Sequence, residues 1–321
     1  MTPRLRFAHL PTPVEPMPRL AKALGLSHLY VKRDDLTGLA FGGNKTRKLE
    51  FLLAEAQAQG ADTLITAGAV QSNHCRQTAA AAAKFGFDCL LVLTGEPPDR
   101  PSANLLLDEL LGARIVWAGG RENRERVLTE TFEQAKAEGK RPYLIPYGGS
   151  SPTGALSYVF AMGELIRQKP FDGELPDWIV FASSSGGTQA GLTLGAHIFG
   201  YRGCLLGISV DEPSEVLQER IAALATETSL KLEKRIEFSP FNIWVNDDYC
   251  KAGYGVLTEA EREAILLFAR LEGLLLDPVY TGRAAAGLID LVRKGFLDPD
   301  ERILFWHTGG QPALFAEAYR L

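Results

Sequence analysis

The chain has 321 residues, 46% hydrophobic and 23% charged, enough for a large core and for two lobes. Its formal net charge is -5 and no basic stretch stands ready for nucleic acid or an acidic membrane, so the expected partner is a small molecule. Cys75, Cys89, Cys204 and Cys250 form no CxxC pair, no two histidines have helical metal-ligand spacing, and every apolar run is too short to span a bilayer; a cytoplasmic protein with reduced thiols, no leader, no membrane segment and no metal is expected.

In chain order, Pro11, Pro13, Pro16 and Pro18 predict an extended N-terminal arm, because proline suits neither a helix interior nor a central strand. Strands are expected at His28 to Lys32, Thr63 to Thr66, Cys89 to Leu93, Arg114 to Trp117 and Pro142 to Ile145. Between them, helices are expected from Thr46 onward, at Ala79 to Phe85, Asn104 to Leu111 and Glu122 to Glu138. The second half repeats the alternation, with strands at Trp178 to Ser183, Leu205 to Val210 and Ile303 to His307. Its helices fall near Ala155 to Arg167, Thr188 to His197, Glu259 to Glu272 and Ala284 to Lys294. Such alternation predicts an α/β protein of parallel sheets covered on both faces, with the glycine-rich seam from Tyr147 to Pro152 as the boundary between two of them.

The stretch Gly42-Gly43-Asn44-Lys45-Thr46-Arg47-Lys48 is the first candidate for chemistry. The glycines allow a turn that puts Lys45 at a helix mouth, where the macrodipole and the charges of Arg47 and Lys48 disfavour its protonated form. A solvated lysine at a helix start is the plainer alternative.

Four strand-to-helix junctions follow, the places where open parallel sheets bind ligands. Ser183-Ser184-Ser185-Gly186-Gly187-Thr188-Gln189-Ala190-Gly191 offers backbone N–H groups and hydroxyls for one terminal phosphate. Its glycine spacing is not G-x-G-x-x-G, which argues against a dinucleotide even though Asp211 lies at a suitable distance. Gln71-Ser72-Asn73-His74 could receive a carboxylate or a phenolate-like oxygen, although capping alone explains one of its polar residues. Asp277-Pro278-Val279-Tyr280-Thr281-Gly282-Arg283 and His307-Thr308-Gly309-Gly310 place hydroxyls beside glycines; Tyr280 alone reads as a core aromatic and His307 as a satisfied core histidine. An amine, a one-phosphate cradle and scattered hydroxyls together suggest pyridoxal 5'-phosphate, which needs a lysine, an anion site and ring partners.

With these motifs in hand, the chain resembles the fold-type II pyridoxal-phosphate enzymes of the 1-aminocyclopropane-1-carboxylate deaminase and D-cysteine desulfhydrase family. The resemblance runs nearly end to end, through Pro11-Thr12-Pro13, Lys32-Arg33-Asp34-Asp35, GGNKTRKLE, QSNH, SSGGTQAG, DPVYTGR and HTGG. It implies an α/β fold like the tryptophan synthase β chain, with two open parallel-sheet, three-layer domains: residues 1–44 with 152–321 for the cofactor, and 45–151 as a smaller inserted domain. It implies Lys45 as the cofactor-bearing lysine, Asn73 on the phenolic oxygen, Ser185, Gly186, Gly187 and Thr188 on the phosphate, and Lys48 as an addition one turn on. By the same match Ser72 and Tyr280 are active-site residues near the substrate, and a homodimer is implied.

Within the family, deaminases that open the cyclopropane ring are expected to carry Glu after the tyrosine and Leu after the histidine of the last motif. This chain has Thr281 and Thr308, as desulfhydrase-like members do. A carboxylate beside the pyridine nitrogen makes a strong electron sink, whereas a hydroxyl leaves the ring nearer neutral. The expected reaction is therefore β-elimination from D-cysteine to pyruvate, ammonia and hydrogen sulfide, with the substrate carboxylate on Ser72, Asn73 and His74 and with Lys45 taking the α proton. An L-cysteate sulfo-lyase-like activity is the nearest rival, with Arg283 or His74 receiving a sulfonate, though Arg283 reads more simply as a solvated charge. A cyclopropane deaminase, and a non-catalytic carrier or sensor of the cofactor, are further alternatives.

Overall fold

The computed structural model describes residues 3–319. In chain order come β1 (Val14–Pro16), α1 (Pro18–Leu24), β2 (His28–Arg33), α2 (Asn44–Ala58), β3 (Thr63–Ala69), α3 (Asn73–Phe85) and β4 (Asp88–Thr94). Next are α4 (Ala103–Leu110), β5 (Arg114–Gly119), α5 (Arg124–Ala137), β6 (Pro142–Leu144), α6 (Pro152–Gln168), β7 (Trp178–Ser183), α7 (Gly187–Phe199) and β8 (Cys204–Ser209). The chain closes with α8 (Ser214–Leu230), β9 (Trp244–Asn246), α9 (Glu259–Glu272), α10 (Thr281–Arg293) and β10 (Arg302–His307).

One sheet has six strands in the order β1-β2-β10-β7-β8-β9, parallel except for β1, and the other has four parallel strands in the order β5-β4-β3-β6. Strand alternation sends successive side chains to opposite faces, and here both faces are covered. In β7, Trp178, Val180 and Ala182 join one core cluster while Ile179 and Phe181 join another. In β4, Leu91 and Leu93 pack on one side of the smaller sheet, and Leu90 and Val92 on the other.

The proline-rich arm departs from expectation. Pro16 closes the antiparallel edge strand β1, and Pro18 begins α1, where its missing N–H has no helical partner to lose. Helix α8 is an element the strand-and-helix pattern above does not predict; its buried Leu217, Ile221, Leu224, Ala225 and Thr228 lie at helical spacing and are its one signal in the sequence.

A buried ionic network fixes α2. Arg47 donates to both oxygens of Asp34 (2.9 and 2.7 Å) and to both oxygens of Glu164 (3.0 and 2.9 Å), while Lys32 reaches Glu164 at 2.6 Å and the Tyr158 hydroxyl donates to Asp34 at 2.6 Å. Burial alone would penalise every one of these charges. Mutual pairing holds the Asp34 and Glu164 carboxyls below their ordinary range despite it.

Candidate active site

The carboxyl ends of β3, β7 and β10 and the amino ends of α2, α3 and α7 border one cavity of about 630 Å³, counting its open mouth. Lys45, Ser72, Asn73, His74, Ser185, Gly186, Thr188, Tyr280 and Thr308 all line it, although they lie up to 263 residues apart, from Lys45 to Thr308. Three expected members do not: Lys48, Gly187 and Thr281 are absent from its wall.

The turn before Lys45 forms because Gly42 and Gly43 take φ values of 63° and 125°. A Cβ on Gly42 would sit 2.1 Å from the Asp35 carbonyl oxygen, so no side chain fits there. The Asn44 N–H donates to the Thr308 oxygen at 2.9 Å, which ties the start of α2 to the end of β10. Lys45 thus sits within the first turn of α2, and its Nζ donates to Gly148 O at 3.2 Å. Burial pushes its amine down to about 8. The reading that Arg47 helps to deprotonate it is corrected: that guanidinium turns away, neutralised by Asp34 and Glu164.

Lys48 is fully buried and its Nζ donates to Gly148 O at 3.0 Å and to Ser150 Oγ at 3.3 Å. Burial first, then the charge of Lys45, drive its amine well below the usual lysine range. It stands behind the anion loop instead of facing the cavity. Ser150, missed in the sequence, joins the two: its Oγ lies 2.7 Å from Ser185 Oγ and accepts the Gly187 N–H at 3.1 Å. Gly187 therefore spends its N–H on Ser150, while Ser185, Gly186 and Thr188 open α7 toward the cavity; Thr188 Oγ1 accepts from Asn44 Nδ2 at 3.1 Å. Gly148 is required at the contact, since a Cβ there would lie 2.4 Å from Ser185 Oγ.

Ser72 caps α3, accepting the Cys75 N–H at 3.2 Å and keeping its own proton free to donate. Asn73 is the first residue of that helix and its Oδ1 accepts from Asn104 Nδ2 at 2.9 Å. His74 is 4% exposed and its Nε2 lies 2.9 Å from Thr66 Oγ1. Because that hydroxyl donates to Ile145 O at 2.8 Å, Nε2 must carry the ring proton, leaving Nδ1 a buried acceptor without a protein partner. Burial and the two neighbouring lysine charges hold this ring neutral, so it offers no cation to a sulfonate.

The Tyr280 hydroxyl lies 2.8 Å from that of Tyr254, a second missed residue, and burial keeps both phenols protonated. Thr281 was expected beside a ring nitrogen. Instead its hydroxyl accepts the Asp277 N–H at 2.8 Å and donates to Asp277 Oδ1 at 2.7 Å, closing the turn before α10. Thr308 alone of the two threonines faces the cavity. Arg283 is neither solvated nor a sulfonate receptor: it is fully buried, pairs with Glu261 at 2.8 Å and donates to the carbonyls of Val210, Gly253 and Val256. His307 is satisfied by Leu275 O at 3.1 Å and by the Gly309 N–H at 3.2 Å. Among the described residues no group of His, Cys, Asp and Glu is arranged to hold a metal ion, and no helix is long and apolar enough to cross a membrane.

A depressed lysine amine and a glycine-and-serine helix start facing it across one cleft between two parallel sheets define the architecture of a fold-type II enzyme built for a phosphorylated carbonyl cofactor. The family model described as pyridoxal-phosphate dependent enzyme matches residues 5–309, and the chain belongs to that family. It is 45% identical over 322 residues to D-cysteine desulfhydrase from Klebsiella pneumoniae strain 342, a match that covers 98% of this chain and 96% of that one. A Pyrococcus abyssi protein provisionally named as a 1-aminocyclopropane-1-carboxylate deaminase is 44% identical over 315 residues, covering 98% and 93%. A solved structure titled as that of an ACC deaminase homologue superposes with a TM-score of 0.89 at 41% identity, covering 98% of this chain and 93% of the other.

The residues present fit pyridoxal phosphate. Lys45 supplies a buried amine of lowered basicity, the α7 start supplies the anion site, and the Ser183 hydroxyl on the cavity wall is a buried polar atom without a protein partner. The orphaned donors of a helix amino terminus welcome negative charge, and α3 and α7 both present theirs here.

Proposed function

We propose that the chain catalyses β-elimination from D-cysteine, consuming one water and releasing pyruvate, ammonia and hydrogen sulfide. The observation that carries this reading is the chemistry of the cavity wall, which holds Lys45, serine, threonine and tyrosine hydroxyls and an asparagine amide but no aspartate or glutamate. Bound pyridoxal phosphate supplies the electron sink for bond cleavage at the substrate α carbon. Without a carboxylate to hold a proton on its ring nitrogen, that sink is modest, sufficient to expel a thiolate from the β carbon and poorly suited to opening a cyclopropane. The names of the desulfhydrase relatives point the same way.

The chain's own residues divide the remaining work. Lys45 Nζ holds the cofactor and then accepts the α proton; at a basicity near 8 it is neutral often enough to do so at physiological pH. Ser72 Oγ and the free N–H groups at the start of α3 receive the substrate carboxylate, with Asn73 and His74 supplying backbone there. Asn73 would hold the phenolic oxygen of the cofactor and Ser185, Gly186 and Thr188 its phosphate, with Lys48 supporting that loop through Ser150. Tyr280, its hydroxyl paired with that of Tyr254, would pack by the cofactor and move protons near the leaving group, and Thr308 on the cavity wall would serve the ring nitrogen.

The division into a cofactor domain of residues 1–44 with 152–321 and a small domain of 45–151 is supported by the membership of the two sheets. A cytoplasmic location agrees with four unpaired thiols, and a homodimer with the family resemblance; chain mass in solution checks the latter.

Pyruvate release by cofactor-loaded protein from D-cysteine, L-cysteate, D-serine and the cyclopropane amino acid tests the function. D-Cysteine is expected to dominate; dominant ring opening, or no release from any member of the panel, defeats it. The loss of Arg283 as a candidate receptor leaves the sulfonate of L-cysteate without a cation in the cavity beyond Lys45.

A further inference from the structure

Asn73 faces the cavity with a side chain whose two ends have opposite chemistry, so its use depends on which way the amide is turned. The surrounding bonds decide that. Arg76 can only donate, and its Nη1 reaches Asn104 Oδ1 at 2.9 Å and Asn73 Oδ1 at 3.3 Å. The Gln71 carbonyl can only accept, and it takes the Asn104 Nδ2 at 2.9 Å. Both ends of Asn104 are thereby assigned, and its second amide proton goes to Asn73 Oδ1 at 2.9 Å. Asn73 Oδ1 is filled by two donors, which leaves the NH2 group as the free end of this cavity-lining side chain; Nδ2 is also held close to Gly310, where an added Cβ would lie 2.8 Å from it. Arg76 also donates through Nη2 to Gly42 O at 2.8 Å, joining this cluster to the turn that carries Lys45. Arg76 and Asn104 are both completely buried, and neither lines the cavity.

We infer that Asn104 and Arg76 are positioning residues that hold the Asn73 amide as a one-way donor toward the phenolic oxygen of the bound cofactor. The inference rests on the assignment of Asn73 made above. A freely turning asparagine would have to be oriented when the anionic atom arrives, at an entropic cost; the pinned one presents its N–H beforehand.

A double-mutant cycle on cofactor affinity tests it, with Asn104→Leu made in the native protein and in Asn73→Ala, and with pyridoxal phosphate binding followed by fluorescence and by the visible absorbance maximum. Asn104→Leu is expected to weaken binding roughly tenfold in the native background, with a shifted absorbance maximum, and by less than twofold where Asn73 is already gone. Equal losses in both backgrounds, or none in the native one, overturn it. Should the leucine variant not fold, Asn104→Ala serves in the same cycle. The Lys45 assignment is read independently from the visible absorbance of Lys45→Ala, so either conclusion can fail alone.

Discussion

Lys45 and Lys48 bring their amines to one acceptor, the Gly148 carbonyl oxygen, at 3.2 and 3.0 Å. One helical turn separates the two residues, and burial lowers the basicity of both. Two full positive charges on one buried oxygen would repel strongly, so near neutrality the pair carries less than two positive charges.

The sign of the resulting pH dependence is definite. Cofactor-free protein should capture pyridoxal phosphate through neutral Lys45, so the capture rate rises with pH and levels off above about 8, with the amine lowered to that value by burial. Stopped-flow absorbance between pH 6 and 10 measures it, and a rate still climbing toward the ordinary lysine range contradicts the burial argument. Lys45→Ala should lose pyruvate release by about 10²-fold to 10⁴-fold, the usual worth of a general base, together with the visible band.

The network around Arg47 sets acid stability. Asp34 and Glu164 have folded-state affinities for protons below their unfolded ones, so their contribution is present above the unfolded carboxylate range and is lost as pH falls through the folded values. Glu164→Gln should cost about 3 kcal/mol at pH 7, as expected on losing one partner of a buried pair, and should flatten the fall of Tm below pH 5. Thermal melts across that range decide it.

The two threonines should separate cleanly. Thr281→Val breaks both bonds to Asp277 and should lower stability by about 1–3 kcal/mol, leaving a buried carboxylate oxygen short of a donor. Thr308→Val should change stability by less than about 1 kcal/mol and show instead as altered kcat for D-cysteine. Paired denaturation and steady-state kinetics test the contrast, which reverses if Thr281 is the ring contact.

Tyr254→Phe removes the partner of the Tyr280 hydroxyl without opening a cavity. A loss of roughly tenfold in kcat, with KM changed by less than about threefold, is expected for one hydrogen bond to a working group. An unchanged kcat would show that Tyr280 acts by packing alone.

Much of the fold was legible because its signals are local. The buried run Trp178 to Ser183 can only be a covered strand, and the glycines at 42 and 43 announce the turn before Lys45. Where local rules conflict, the sequence misleads: Pro18 reads as a helix breaker yet opens α1, where proline is favoured, and the polar α8 masks its apolar stripe. Among the candidate site residues, Lys45, Ser72, Asn73, His74, Ser185, Gly186, Thr188, Tyr280 and Thr308 line one cavity, because the strand ends and helix starts that carry them meet there. Lys48, Gly187 and Thr281 lie off the cavity wall, bonded to Gly148, Ser150 and Asp277, and Arg283 is buried on Glu261 instead of solvated; none of these bonds is visible in the local sequence.

Taken alone, the order of residues determined the alternation of strands and helices, the amine and the anion loop, and therefore the kind of cofactor, since each of these depends on neighbours a few positions apart. Tertiary structure decided which polar groups remain free to work. A hydroxyl or a guanidinium is available to a ligand only if nothing closer claims it, and that competition takes place in space: Asp277 takes Thr281, Glu261 takes Arg283, and Asn104 turns Asn73 toward the cleft.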